Sequence, residues 1–227
     1  MSKAQKKSRI SKADNYYWLF VALLVLFFAG SLAAELGLEI LGRLMAVSLT
    51  FIVLVAVWSL EQHRVPFSSR ILVTLLFILI EGSELFFAHF NLSTLQLVSV
   101  LAFSVGTIIV ACRQVLLTGG IDFNKIVGAI CIYLLMGVAW AEGYLLIERL
   151  FPGSIPALSG DNWRHHVDDA LYYSYVTLTT LGFGDIVPVK PLARYFTYLQ
   201  AMVGQFYIAI VVASLIGAKM SDDNREA

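Results

Sequence analysis

Long apolar runs broken by short polar ones set the plan of this chain. Six stretches are long enough to cross about 30 Å of hydrocarbon as helices rising about 1.5 Å per residue. They run roughly over Tyr16–Ala34, Ile40–Leu60, Ile71–Phe90, Leu95–Leu117, Ile126–Leu150 and Leu192–Ala218, which predicts six transmembrane helices. The segment Phe151–Pro191, between the last two, is too polar and too interrupted to span. Its middle predicts a short helix over Asp168–Thr179, with Asp168 and Asp169 in the first turn, where carboxylates meet the positive end of the helix dipole. Tyr172, Tyr173 and Tyr175 would girdle that helix. The pattern then breaks at Thr180–Asp185, where Gly182 and Gly184 alternate with Leu181 and Phe183. Glycine permits positive φ, so successive carbonyls there can be turned to one side.

Composition sharpens this picture. Of 227 residues, 59% are apolar and only 14% charged, and the mean hydropathy is +0.78, so the membrane is the expected solvent. Sixteen basic residues against sixteen acidic ones leave no net charge, which excludes a nucleic-acid footprint by charge alone. Cys112 and Cys131 lie in or beside apolar runs and offer neither a disulfide framework nor a CxxC metal site. The basic tail Lys3, Lys6, Lys7, Arg9 and Lys12 also suits a signal peptide, but a 19-residue apolar run is long for one. With both termini in the cytoplasm, eleven basic residues lie inside, the tail plus Arg64, Arg70, Arg113, Lys125, Lys219 and Arg225. Only five, Arg43, Arg149, Arg164, Lys190 and Arg194, lie outside, as the positive-inside rule prefers. The expected protein is an all-α multi-pass protein of the plasma (inner) membrane, in contact with lipid. It divides into a basic tail (1–15), a four-helix domain (16–118), a second domain (119–218) and a short tail (219–227).

The stretch Thr177-Leu178-Thr179-Thr180-Leu181-Gly182-Phe183-Gly184-Asp185 resembles the signature TxTTxGYGD of the tetrameric potassium channels, with Phe for the usual Tyr. The resemblance extends over residues 126–218, an outer helix, a re-entrant pore helix, a filter loop and an inner helix. It implies a filter in which Thr180, Leu181, Gly182, Phe183 and Gly184 conduct, with K+ held at Thr180, Leu181, Gly182 and Phe183 by backbone carbonyls that replace its hydration shell. Thr180 would add a hydroxyl at the inner end, and Leu181 and Phe183 would brace the strand against the pore helix. Tyr172, Tyr173 and Thr179 would support the filter, and Asp185 would mark its outer mouth. Gly204 resembles a hinge glycine, although close helix packing explains a glycine there equally well. Tyr207–Ile216 would line or back the inner cavity. One filter strand cannot surround an ion and the motif is not repeated, so the resemblance implies a homotetramer. It implies no enzymatic activity, and no cofactor beyond K+ as the permeant ion.

Charged residues within the spans are functional candidates. Arg43, Glu81, Glu84 and Glu142 could form an intramembrane polar core. Glu142 is expected to bond hydroxyls behind its own pore. The cluster His165, His166, Asp168 and Asp169 has metal-ligand residue types, but solvated loop and helix cap is the simpler reading. Asn91-Leu92-Ser93 matches a glycosylation acceptor in an outward loop. The alternatives are a weakly selective cation channel, a cation transporter using Glu81, Glu84 and Glu142, and a metal-dependent intramembrane enzyme. The fourth run carries only Arg113, so weak voltage dependence is expected at most. The chain stops ten residues past Gly217, so no cytoplasmic ligand-binding domain is expected, and a regulatory subunit or lipid is left open as the stimulus.

Overall fold

The computed structural model describes residues 15–36, 93–117, 123–160, 162–217 and 220. The predicted second and third spans, the glycosylation acceptor Asn91, and Arg43, Glu81 and Glu84 lie outside the described residues. Among the described residues the regular elements are all helical: α1 (Asn15–Glu35), α2 (Ser93–Leu117), α3 (Phe123–Leu150), α4 (Val167–Leu178) and α5 (Pro191–Phe206). Two 3-10 turns, Pro156–Leu158 and Trp163–His166, lie between α3 and α4. After α5 the backbone widens into a π turn over Tyr207–Val212 before resuming as α-helix to Gly217. Ser93–Leu116, Phe123–Leu150 and Pro191–Gly217 are long and apolar enough to cross a membrane, so the protein is a multi-pass membrane protein.

The described boundaries fall within three residues of the predicted ones. Proline explains the start of α5, because Pro191 sits at the first helical position, where its missing N–H costs nothing. The 3-10 turn before α4 is an addition to the prediction. Asn162 caps it, its Oδ1 accepting from Arg164 N at 3.1 Å.

Helix α3 is the hub, with α1, α2, α4 and α5 all packed on it. One apolar cluster gathers Tyr16 and Leu23 of α1, Val115 of α2 and Ile132 of α3 with Leu178 of α4 and Tyr207. A second joins Leu97, Tyr144, Leu145, Tyr173 and Ala193 with Ile155 and Trp163 of the connecting segment. Polar bonds fix α1 at its start, where Tyr16 N donates to Asn124 Oδ1 (3.2 Å) and Tyr16 OH to Gln114 Oε1 (3.3 Å).

Helix α5 crosses α4 at Gly204, which is buried. A Cβ built there would collide with the Leu178 carbonyl oxygen, and that partner is backbone and cannot swing away. Close approach is therefore reason enough for this glycine. Gly204→Val is expected to destabilise the fold by about 1–3 kcal/mol through overpacking. The helix-propensity gain over glycine, under about 1 kcal/mol, does not offset that. Thermal melting of the two proteins in detergent checks this, and an unchanged melting temperature contradicts the close packing.

Candidate functional site

The site is the end of α4 and the strand that leaves it. Helix α4 is held between α3 and α5 by polar side chains in the apolar interior. Gln200 is fully buried, yet each of its polar atoms has a partner. Its Oε1 accepts from Tyr144 OH (2.5 Å), and its Nε2 donates to Ser174 O (3.0 Å) and Ser174 Oγ (2.8 Å). Ser174 Oγ in turn donates to Gly137 O of α3 at 2.6 Å. Three helices are thus joined by a network with no unmet member, the only kind that burial tolerates cheaply. Beside it Tyr173 OH meets Thr197 Oγ1 at 2.7 Å; because Thr197 Oγ1 also donates to Ala193 O (2.8 Å), the phenol is the donor. Nearer the end of α4, Tyr175 OH donates to Leu134 O (2.6 Å).

Helix α4 ends in a paired hydrogen-bond cap. Thr179 keeps near-helical angles and Thr180 turns left-handed at φ 59°. Leu181 N then reaches back to Val176 O (2.9 Å) and Thr180 N to Thr177 O (2.9 Å). Glycine usually holds that left-handed position, and a threonine there stores about 1–3 kcal/mol of strain. The remaining carbonyls are also met. Tyr175 O takes Thr179 N (3.0 Å) and Thr179 Oγ1 (2.7 Å), Thr179 O takes Thr180 Oγ1 (2.6 Å), and Leu178 O takes Tyr133 OH of α3 (3.1 Å).

Gly182 (φ 58°) and Gly184 (φ 81°) follow, so among the described residues positive φ recurs at 180, 182 and 184 while Leu181 and Phe183 between them keep negative φ. The two glycines adopt the conformation expected of them, and Thr180 joins them without a signal in its residue type. Leu181 and Phe183 are 59% and 66% exposed on the single chain, so neither braces the strand against its own α4. A single chain offers them no second wall.

The Asp185 end of the strand is organised by two carboxylates. Asp185 Oδ2 accepts from Tyr172 OH at 2.6 Å, which ties the end of the strand back to α4. That bond holds the Asp185 carboxyl below the ordinary carboxylate range and raises the Tyr172 phenol. Tyr173 was expected beside Tyr172 in this role, but it points to Thr197, since neighbouring residues on a helix diverge by about 100°. Glu148 is buried and accepts from Gly153 N (2.6 Å), Ile155 N (2.7 Å) and Ser159 Oγ (2.7 Å). The loop so formed receives the chain leaving the strand, with Val189 N donating to Ser154 O (2.8 Å) and Lys190 Nζ to Pro152 O (2.6 Å).

Glu142 differs from expectation. Its Oε1 accepts from Ser104 Oγ of α2 at 3.0 Å, a hydroxyl of the neighbouring span and not of its own pore segment, because that face of α3 packs on α2. His166 Nδ1 lies 3.8 Å from Asp169 Oδ2, and among the described residues no three such side chains converge as a metal centre requires.

Residues 126–219 match the family model described as "Ion channel". These residues form an ion-channel pore domain. The match is to a family of channels and not of enzymes. Within it the short pore-like helix α4 lies between two membrane-length helices, α3 before it and α5 with its extension after it. The rice (Oryza sativa subsp. japonica) two pore potassium channel c is 33% identical over 84 residues, which are 37% of this chain and 16% of that protein. The inward rectifier potassium channel Kirbac3.1 of Paramagnetospirillum magnetotacticum is 33% identical over 94 residues, 40% of this chain and 28% of that one. The Arabidopsis thaliana two-pore potassium channel 5 is 33% identical over 78 residues, 32% of this chain and 19% of that one. The chain thus spans less than a third of the length of each. No solved structure gave a significant match.

The Tyr172–Asp185 bond yields a pH test. A depressed carboxyl pKa contributes stability that is present above the ordinary carboxylate value and is lost as pH falls through the lowered one. In Tyr172→Phe, Asp185 is expected to titrate closer to an ordinary carboxylate, as read by carboxyl NMR of labelled protein. The variant should melt earlier than wild type at pH 7, and the two should converge as the pH falls through the lowered Asp185 value. An unmoved Asp185 titration contradicts the bond.

Proposed function

We propose that the chain is a subunit of a potassium-selective channel that conducts K+ passively through a filter formed by Thr180, Leu181, Gly182, Phe183 and Gly184. The observation that carries this reading is the recurrence of positive φ at residues 180, 182 and 184 directly after the short helix. In an ordinary strand successive carbonyls point to opposite sides. Reversing the backbone hand at every second residue removes that alternation and suits a row of oxygens facing one axis. An ion that sheds water needs such a row from several directions, and four copies in closed symmetry supply it. The exposed Leu181 and Phe183 then find their second wall in the next copy. The relatives named above are potassium channels, which supports the choice of ion.

The full arrangement on this reading is six spans per chain, both termini in the cytoplasm of a plasma (inner) membrane, and a homotetramer of 25.1 kDa chains. The distribution of basic residues supports the orientation. Arg43, Glu81 and Glu84 would form a polar core in the first four spans.

Purified protein in liposomes is expected to carry K+ in strong preference to Na+. Gly184→Asp should assemble as wild type does and lose that preference, since aspartate adopts positive φ less readily and brings a charge to the row. Equal K+ and Na+ flux through the wild type overturns the reading.

The channel should also be at most weakly voltage-dependent. Steep gating takes 3–4 charges per subunit at about 2.3 kcal/mol per charge per 100 mV. Helix α2 has Arg113 alone, one turn from its end, where it can snorkel to the interface. Open probability recorded against voltage in symmetric potassium should show a limiting slope below about four elementary charges per channel, the ceiling for one charge in each of four subunits. A steeper slope would reveal a sensor elsewhere.

A further inference from the structure

We propose that Gln205 is a positioning residue for the innermost ion site of the filter, acting through the hydroxyl of Thr180. The inference rests on the potassium-pore reading above. Gln205 Nε2 donates to Thr180 Oγ1 at 3.3 Å, a side-chain bond from the inner helix to the strand. Thr180 Oγ1 spends its own proton on Thr179 O at 2.6 Å. A hydroxyl has one proton and two acceptor lone pairs. With the proton committed inward and one lone pair taken by the Gln205 amide, the other lone pair is left for a cation. Without the amide the hydroxyl can rotate and turn its proton toward the ion, which repels it.

The placement of Gln205 is not a matter of chance contact. Its neighbour Gly204 is pressed against the Leu178 carbonyl, and Tyr207 OH donates to Ala129 O of α3 at 2.8 Å. These two anchors fix α5 on either side of residue 205. Gln205 is itself exposed, so its Oε1 stands open beside the inner end of the strand. Four such amides would ring the inner entrance, neutral but rich in oxygen.

The test uses the full-length protein in planar bilayers, with Ba2+ added on the side of the α5 C-terminal end. Ba2+ is close to K+ in radius and carries twice the charge, so its block reports how well the innermost oxygens hold a cation. Gln205→Met, which keeps the length and removes the amide, should raise the half-blocking concentration at least about five-fold, the equivalent of one lost hydrogen bond. Gln205→Glu should lower it by adding negative charge at the same place. In a Thr180→Ala background Gln205→Met should add no further change, a non-additivity that a merely structural role does not produce. Gln205→Glu carries the test if the Met variant does not assemble. Block unchanged within two-fold in the assembled variants, with a K+-selective wild type, overturns the role of Gln205 and leaves the pore reading standing. A wild type that does not select K+ overturns the pore reading itself.

Discussion

A helix that stops among apolar neighbours leaves its last carbonyls without water, and the surroundings of α4 are arranged to answer that shortage. Thr180 goes left-handed so that the next amides can fold back onto Val176 and Thr177. Tyr133 reaches across from α3 to the carbonyl of Leu178, the same group that Gly204 lets α5 approach. One carbonyl thus receives a hydrogen bond from the outer helix and close contact from the inner one. The strain at Thr180 is sustained because these contacts over-determine the turn.

The two sides of the strand are stabilised by different chemistry. At the Asp185 end, carboxylates serve as hubs: Glu148 collects two backbone amides and a hydroxyl, and Asp185 takes a phenol. Around α4 the buried bonds are made by neutral groups, the phenols of Tyr133, Tyr175 and Tyr207 and the amide of Gln200, while the buried Glu142 carboxylate is turned away to Ser104 of α2. Burying a neutral dipole with its partners costs far less than burying a charge, so the division follows the expected fall in water content.

Much of this was legible in the sequence, for reasons that can be named. Helix extents follow from uninterrupted apolar runs, and Pro191 marks a start. Gly182 and Gly184 announce positive φ because their residue type allows it at little cost. Thr180 gives no such sign: its conformation is imposed by the two amides that need carbonyls behind it, a demand set by position. Gln200 was visible as a polar residue in an apolar run, but its partners Tyr144 and Ser174 lie 56 and 26 residues away, and such pairing has no local pattern. Glu148 was hidden by its place near a helix end, where an acid ordinarily meets water.

The π turn after α5 has a geometric consequence of its own. A π turn houses one residue more than the α-helix it interrupts, so the segments before and after it stay helical but are out of phase by about one residue. Here that phase slip falls at Tyr207–Val212, between the part of the inner helix locked to α4 and the part that runs on to Gly217. Tightening it to α-helix would turn everything beyond Val212 through about 100°, exchanging the face that now buries Leu215 for a neighbouring one, while Gly204 stays seated. The inner helix is in effect two rods on one axis, and the dial between them is set by a single residue.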